Sequence, residues 1–165
     1  MPQAAREVRV GVISDTHGLL RPEAVRALRG ASVIVHAGDI GGREILDELG
    51  AIAPVTAVRG NNDRGAWARH LPETAVVEVG GARLFVIHDL SALARDPRAE
   101  GFAAVISGHS HQPLSARRGG VLYFNPGSAG PRRFHLPVSL GMLRISGGRV
   151  VGRLRRLLTP SPSGA

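Results

Sequence analysis

The sequence predicts an α/β fold, because strand-like and helix-like segments alternate through the first third of the chain. Apolar runs at residues 8–13, 32–36 and 55–58 are separated by two segments with helical spacing, an order typical of a parallel sheet with right-handed crossovers. From residue 74 onward, glycine-containing turns separate apolar segments, which indicates hairpins. A chain of 165 residues with 43% apolar content fits a single domain, which we place at residues 1–158.

Local signals define the individual elements. Pro22 favours the first turn of a helix that stops at Gly30, and Gly50 ends a second helix. Residues 159–165 have no apolar content to pack and are expected to be disordered. The predicted strands are residues 8–13, 32–36, 55–58, 74–79, 83–87, 103–107, 121–124, 138–145 and 149–157, and the predicted helices are residues 22–29 and 43–49.

Composition excludes several kinds of site. The chain has no cysteine, so disulfides, a thiolate nucleophile and cysteine-ligated zinc are excluded, and any metal must be held by His, Asp, Glu or Asn. No apolar run approaches the roughly 18 residues that span a bilayer, and the first eight residues do not resemble a signal peptide. We therefore expect a cytoplasmic protein without a membrane partner. The sequence does not predict the oligomeric state.

The formal charge of +8 comes from arginine alone, since all 21 basic residues are arginine. A basic protein tends to attract phosphate-bearing partners. The arginines are spread along the sequence instead of forming one block, and aromatic residues do not interleave with them. Nucleic acid therefore stays open as a partner but is not favoured.

Polar side chains follow the ends of five predicted strands. In extended backbone, residues i and i+2 face the same side, so Asp15 and His17 can share one cation. The other motifs alone also fit a turn or a buried structural histidine, whereas the paired His109 and His111 after Gly108 are hard to justify by packing. Together, at the carboxyl ends where α/β sheets place their ligands, the motifs predict a site for two divalent metal ions. The seven candidate ligands are Asp15, His17, Asp39, Asn61, His88, His109 and His111.

The spacing of these motifs resembles that of the calcineurin-like metallophosphoesterases. The short length, the segment 58–63 and the run Asn125-Pro126-Gly127-Ser128 are similar to the small prokaryotic YfcE-like phosphodiesterase branch. The resemblance implies two β-sheets packed as a sandwich with flanking helices, a four-layer α-β-β-α fold. The matching series is Asp15-x-His17, Gly38-Asp39, Gly60-Asn61, His88 and Gly108-His109-Ser110-His111, and the match extends from about residue 8 to residue 145.

The resemblance also implies a ligand set for each metal ion, with Asp39 as the bridge between them. Manganese is favoured, and nickel, iron, cobalt and zinc are alternatives, because mixed carboxylate, amide and imidazole donors suit all of these metals. The implied reaction is hydrolysis of a small phosphate ester by a hydroxide held between the two ions. One ion would be held by Asp15, His17, Asp39 and His111, and the other by Asp39, Asn61, His88 and His109.

The same resemblance suggests roles for residues near the ligands. Many family members carry a histidine directly after the ligand asparagine, where it is thought to protonate the leaving group, and here that position is Asn62. An amide cannot act as that acid, so we expect a preference for activated or cyclic diesters. The expected catalytic residues are Asp39, Asn62 and Asp63, the last as an orienting group. The expected substrate-binding residues are Arg59, Asn62, Asn125 and Ser128, of which Asn125 and Ser128 fit a simple Pro-Gly turn equally well.

Histidines outside the motifs have ordinary structural roles in this scheme. His36 lies in a strand and is expected to be a hydrogen-bonded core residue. His70 and His135 are expected in loops or at the surface, and Trp67 is expected to pack against the core.

Two functions from other classes stay open. One is an interaction scaffold like the retromer subunit that shares the family fold, and the complete ligand set speaks against it. The other is a nuclease-like enzyme, which the positive charge favours and the dispersed arginines do not.

Overall fold

The computed structural model describes residues 6–158, which form two five-stranded β-sheets that pack face to face. The tail predicted to be disordered lies outside the described residues. Within the described part, no helix is long and apolar enough to cross a membrane. In chain order, the elements are β1 Val8–Ile13, α1 Pro22–Leu28, β2 Val33–His36, α2 Arg43–Gly50, β3 Val55–Ala57, β4 Thr74–Val79, β5 Ala82–Ile87, β6 Ala104–Ile106, β7 Leu114–Arg118, β8 Val121–Asn125, β9 Ser139–Ser146 and β10 Arg149–Arg156.

The first sheet has the strand order β10-β9-β1-β2-β3. Its strands β1, β2 and β3 are parallel, as the alternation of strands and helices predicts. The hairpin of β9 and β10 joins the sheet antiparallel to β1, and Gly147 and Gly148 form its turn with φ of 57° and 79°. The last four residues of β1 are buried because both faces of this sheet are covered.

The second sheet has the order β4-β5-β6-β8-β7, in which β5, β6 and β8 are parallel and the two edge strands are antiparallel. The sequence did not predict β7. Its residues, Leu-Ser-Ala-Arg-Arg, are exposed or half-buried and carry little apolar periodicity, because an edge strand needs only one partner. The strand forms through its pairing with β8, which the Gly119–Gly120 turn allows.

The main core lies between the two sheets. Val12 and Val35 of the first sheet meet Val86, Ile106 and Phe124 of the second, and all five side chains are buried. This arrangement confirms the predicted sandwich of two sheets.

Smaller apolar clusters cover the outer faces. Leu28 of α1 and Leu49 of α2 pack against the outer face of the first sheet, together with half-buried Trp67. On the second sheet the cover is a 3-10 helix, Leu90–Ala92, followed by a segment that places Phe102 against Phe85. The flanking layers leave the carboxyl ends of the parallel strands free to carry long loops.

Candidate metal centre

The predicted ligands lie in loops that follow the carboxyl ends of parallel strands from both sheets. These loops bring all seven side chains together, which the sequence could only infer from motif order. Asp15 and His17 follow β1, Asp39 follows β2, and Asn61 follows β3. His88 follows β5, and His109 and His111 follow β6.

The backbone of these loops is strained. Six non-glycine residues in the described part of the chain have positive φ, and five of them are predicted ligands. A non-glycine residue in this conformation costs on the order of 1–3 kcal/mol, so the surrounding structure must impose it. Such strain is characteristic of functional sites. The five ligands are Asp15 at 56°, His17 at 45°, Asp39 at 56°, His109 at 69° and His111 at 61°.

This strain corrects one expectation from the sequence. Asp15 and His17 do share a cluster, but their backbone is left-handed and not extended. The cause is pairing between the two neighbouring loops. The backbone N–H of Asp15 donates to Gly38 O at 3.0 Å, and that of His17 donates to Asp39 O at 2.9 Å.

Two motif glycines are required by close approach. A Cβ on Gly38 would lie 2.6 Å from His88 Nδ1 and 2.9 Å from Gly60 N. A Cβ on Gly108 would lie 2.7 Å from Asp15 Oδ2 and would also collide with Ser14 Oγ. Glycine at both positions therefore lets the ligand loops of different strands touch.

Asp15, His17 and His111 form what we call the buried cluster. His111 Nε2 lies 3.3 Å from Asp15 Oδ1, and His17 Nε2 lies 3.8 Å from the same oxygen. Asp15 Oδ1 and His17 Nε2 are buried, and neither has a hydrogen-bond partner among the residues described. Unpaired buried polar atoms are costly, and a divalent cation would satisfy both. The residues therefore fit a metal ion.

Asp39, Asn61, His88 and His109 form what we call the open cluster. His88 Nε2 lies 3.0 Å from Asn61 Oδ1 and 3.4 Å from Asp39 Oδ2. His109 Nδ1 lies 3.2 Å from the same asparagine oxygen. The carboxylate, amide oxygen and imidazole nitrogens thus converge, and this donor set also fits a divalent ion.

Asp39 lies between the two clusters. Its Oδ2 is 3.8 Å from His17 Nε2 of the buried cluster and 3.4 Å from His88 Nε2 of the open cluster. One carboxylate therefore faces nitrogen ligands on both sides, which is the placement that a bridging ligand requires.

The electrostatics of the site favour ionised carboxylates. Burial by itself raises the pKa of Asp39, but hydrogen bonds from His88 and from the Asn62 backbone outweigh it and bring the pKa well below the usual range. Burial likewise raises the pKa of Asp15, and the nearby His111 together with a hydrogen bond from Ser14 reverses the effect. Burial lowers the pKa of His88, whereas Asp39 and the Ala37 carbonyl raise it above the ordinary value. Both carboxylates are therefore negative at neutral pH.

Asp63 holds two ligand loops in place. Its Oδ1 accepts hydrogen bonds from Ile40 N at 2.8 Å and Gly41 N at 3.1 Å, and its Oδ2 accepts one from Gly60 N at 2.9 Å. The carboxylate thus connects the loop after Asp39 with the loop before Asn61. This geometry is that of an orienting group.

Asn125 and Ser128 lie beneath the ligand loops. Asn125 Nδ2 donates to Gly108 O at 2.9 Å, and its Oδ1 accepts from Gly127 N at 2.9 Å. Ser128 Oγ donates to Asp15 O at 3.0 Å. Both side chains are buried and engaged with the protein. Their hydrogen bonds therefore hold the ligand loops in position, and substrate contact by either residue stays a prediction.

The remaining predicted residues border the open cluster. Asn62 donates to Asp39 through its backbone N at 2.8 Å and its Nδ2 at 3.1 Å. Arg59 lines a groove of about 470 Å³ beside Asn61 and His109, where its Nη2 donates to Glu73 Oε1 at 2.9 Å. Asn62 is exposed and Arg59 is half-buried.

Sequence reasoning missed three contacts to the ligands. Ser14 Oγ donates to Asp15 Oδ2 at 2.6 Å, and the Ala37 carbonyl accepts a hydrogen bond from His88 Nδ1 at 2.7 Å, which leaves Nε2 of that ring for the cluster. Asp89 Oδ2 lies 3.8 Å from His109 Nε2. Adjacency to a ligand in sequence is a signal that could have found Ser14 and Asp89. The Ala37 carbonyl carries no side-chain signal.

His36 is a hydrogen-bonded core residue, as predicted. The ring is fully buried, its Nδ1 accepts from Gly38 N at 3.1 Å, and its Nε2 lies 3.0 Å from Thr16 Oγ1. His70 and His135 are exposed, also as predicted.

Comparison with known proteins agrees with this geometry. The family model described as calcineurin-like phosphoesterase superfamily domain matches residues 8–148. A probable metallophosphoesterase from Methanothermobacter thermautotrophicus is 36% identical over 163 residues, which cover 92% of this chain and 94% of that protein. The phosphodiesterase YfcE of Escherichia coli is 34% identical over 155 residues, covering 79% and 84% of the two chains. Vacuolar Protein Sorting 29 from Cryptosporidium parvum has the same fold, with a TM-score of 0.80, 20% identity and 94% coverage of both chains.

Proposed function

The chain belongs to the calcineurin-like phosphoesterase superfamily, and from this premise we propose that it hydrolyses phosphodiesters with two divalent cations held by the buried and open clusters. The observation that carries the proposal is that two of the three unpaired buried side-chain atoms among the described residues, Asp15 Oδ1 and His17 Nε2, lie beside a carboxylate shared with the open cluster. These atoms would be costly to bury without a cation.

The proposed ligand sets follow the geometry of the clusters. Asp15, His17 and His111 hold one ion, Asn61, His88 and His109 hold the other, and Asp39 contributes to both. Two such ions supply an activated water and neutralise charge that develops on the phosphoryl oxygens. With only two carboxylates among the ligands, the loaded site would keep a net positive charge, which favours an anionic substrate.

The chain's own residues orient the substrate and hold the ligands. Arg59 borders the groove beside the open cluster, where a guanidinium can contact a phosphate oxygen if it leaves Glu73. Asn62 holds Asp39 through two hydrogen bonds, and its amide has no proton suited to a leaving alkoxide. We therefore propose small activated or cyclic phosphodiesters as the preferred substrates.

Manganese is the proposed ion, with nickel, iron, cobalt and zinc as alternatives. The interaction scaffold is the weaker candidate, because a surface used only for docking has no need of strained ligand residues and unpaired buried polar atoms. The likeness to Vacuolar Protein Sorting 29 concerns the fold alone.

Hydrolysis of bis(p-nitrophenyl) phosphate tests the proposal. Protein stripped with a chelator should be inactive, and added Mn²⁺ should restore activity together with about two bound ions per chain. Asp39→Ala should lose both ions and the activity. The matched control is Asp47→Ala, which changes an exposed carboxylate on α2 and should retain both. Full hydrolysis in the chelator, or two ions retained by Asp39→Ala, would overturn the proposal.

A further inference from the structure

Charge is divided unevenly along the chain. The first 100 residues contain twelve arginines and thirteen carboxylates, whereas residues 101–165 contain nine arginines and no carboxylate. The C-terminal part thus carries +9 and the N-terminal part −1. Asymmetry of this kind is typical of chains that contact phosphate-bearing polymers.

The fold gathers arginines from four places into one groove. Arg9 of β1, Arg29 after α1, Arg144 of β9, and Arg153 and Arg155 of β10 line a groove of about 520 Å³ on the outer face of the first sheet. The strand register explains the convergence, because it places Arg9 opposite Arg144 and sets the two β10 arginines on the same face. These arginines are dispersed in sequence and adjacent only in the fold. We call this feature the arginine groove.

The charges of the arginine groove are poorly compensated. In residues 6–158, Glu7 is the one carboxylate within 4.0 Å of these guanidiniums, at 2.8 Å from Arg144 and 3.7 Å from Arg9. Arg29, Arg153 and Arg155 have no carboxylate within 4.0 Å among residues 6–158. These three guanidiniums are therefore available to contact a bound anion.

Protection of an edge strand does not explain the arginine groove. Charged side chains on β10 would discourage edge-to-edge pairing of sheets. Arg9 and Arg144, however, belong to interior strands, and Arg29 follows a helix. Their presence in the same groove points to a ligand.

The arginine groove is separate from the metal centre. Arg9 lies near the start of β1, whereas Asp15 follows the end of that strand, and none of the seven candidate ligands lines the groove. The shape is concave, and Met142, which lies opposite Arg153 and two residues before Arg144, forms an apolar part of its lining. A lipid surface would be met better by a flat or protruding face.

We propose that the arginine groove binds single-stranded nucleic acid, with phosphates on the guanidiniums and a base face against Met142. Guanidinium groups bind phosphate oxygens in pairs and also stack on bases, so a run of arginines suits a chain of regularly repeated phosphates. This binding does not depend on metal or on hydrolysis.

Fluorescence anisotropy with a labelled 12-nucleotide oligouridylate, measured in chelator so that no hydrolysis occurs, tests the proposal. The triple variant R29Q/R153Q/R155Q should raise the Kd at least about tenfold and lower the slope of log K against log salt by about 2, since each phosphate contact contributes about 0.7 on a single strand. The single variant R153Q should change both quantities in the same direction by less. Hydrolysis of bis(p-nitrophenyl) phosphate should stay unchanged in both.

The matched control is R43Q/R69Q/R98Q, which removes the same charge from exposed arginines outside the groove and should change the Kd less than about twofold. Thermal melting establishes that both triple variants are folded. Equal weakening by the two triple variants would overturn the proposal, as would binding to phosphatidylserine vesicles without binding to the oligonucleotide. Failure of the oligonucleotide to bind the wild-type protein would also overturn it and would leave the phosphoesterase proposal untouched.

Discussion

In the buried cluster, Asp15 and His111 expose 0% and 4% of their surface, whereas in the open cluster Asn61 and His109 are exposed to solvent. Among the described residues, the fully buried side-chain nitrogen and oxygen atoms without hydrogen-bond partners all belong to the buried cluster. In the open cluster, by contrast, His88 and His109 already contact the amide oxygen of Asn61.

This difference in burial gives chemically similar metal-ligand atoms different physical roles. In the buried cluster an ion would remove a desolvation penalty, so its binding is coupled to the stability of the fold. In the open cluster water can replace the ion, and the adjoining groove gives a substrate access to it. We expect the buried cluster to bind its ion more tightly.

Replacing one histidine of each cluster tests whether the two clusters differ in ion affinity and in their coupling to stability. His111→Ala should abolish binding at the buried cluster, lower the melting temperature of the Mn²⁺-loaded protein and reduce hydrolysis by about a thousandfold, the scale of a lost transition-state charge contact. His109→Ala should weaken the second ion while its melting temperature stays close to that of the wild type. Metal titration and thermal melting of both variants provide the measurement, and equal effects of the two substitutions would refute the distinction.

A smaller effect is expected at Asn62, which borders the open cluster. Asn62→His should raise turnover of diesters with poor leaving groups by about tenfold or more, because an imidazolium can protonate the departing oxygen. Turnover of p-nitrophenyl esters, whose leaving group needs no proton, should change little. Asn62→Ala removes the same hydrogen bond to Asp39 without adding an acid and is the control. A leaving-group series with the same slope in all three proteins would count against this role.

The convergence of the seven candidate ligands could be predicted because each follows the end of a strand, and Asp39, Asn61 and the two histidines after Gly108 do so in short motifs with glycine. That rule found Asp39 after Gly38 and His109 after Gly108, and the structure supplies its reason in the close approach of these glycines to other loops. The family model confirms the predicted family, and the strand order confirms the two-sheet sandwich. Both could be predicted because the order of strands and motifs along the chain is visible in the sequence.

Other features depend on packing that no local pattern reveals. Asn125 and Ser128 lie near ligands in space, but only the folded chain shows that their side chains point into loop backbones. The arginine groove escaped prediction because strand register, not sequence proximity, sets Arg9 against Arg144. β7 escaped because an edge strand leaves little apolar periodicity in the sequence.

His36 contacts the loops of both clusters through Thr16 and Gly38. The smallest predicted effect concerns the pH dependence of stability that this residue causes. Burial lowers its pKa to about 3, and the hydrogen bond from Gly38 N to Nδ1 requires the neutral ring. In the unfolded chain the same histidine has a pKa near 6.5. Between pH 6.5 and 3 the unfolded state therefore binds a proton that the folded state does not bind. Stability from this residue is complete above pH 6.5 and declines as the pH falls toward 3, by up to about 1.4 kcal/mol per pH unit.

Urea unfolding of metal-free protein at a series of pH values measures this contribution. His36→Gln cannot titrate, so its free energy of unfolding should fall less steeply than that of the wild type between pH 6.5 and about 4, and the gap between the two proteins should narrow as the pH decreases. His70→Gln changes an exposed histidine and should run parallel to the wild type. Parallel curves for His36→Gln as well would mean that the buried ring accepts a proton in the folded state, and the loops of both clusters would then have to tolerate the loss of the Gly38 hydrogen bond.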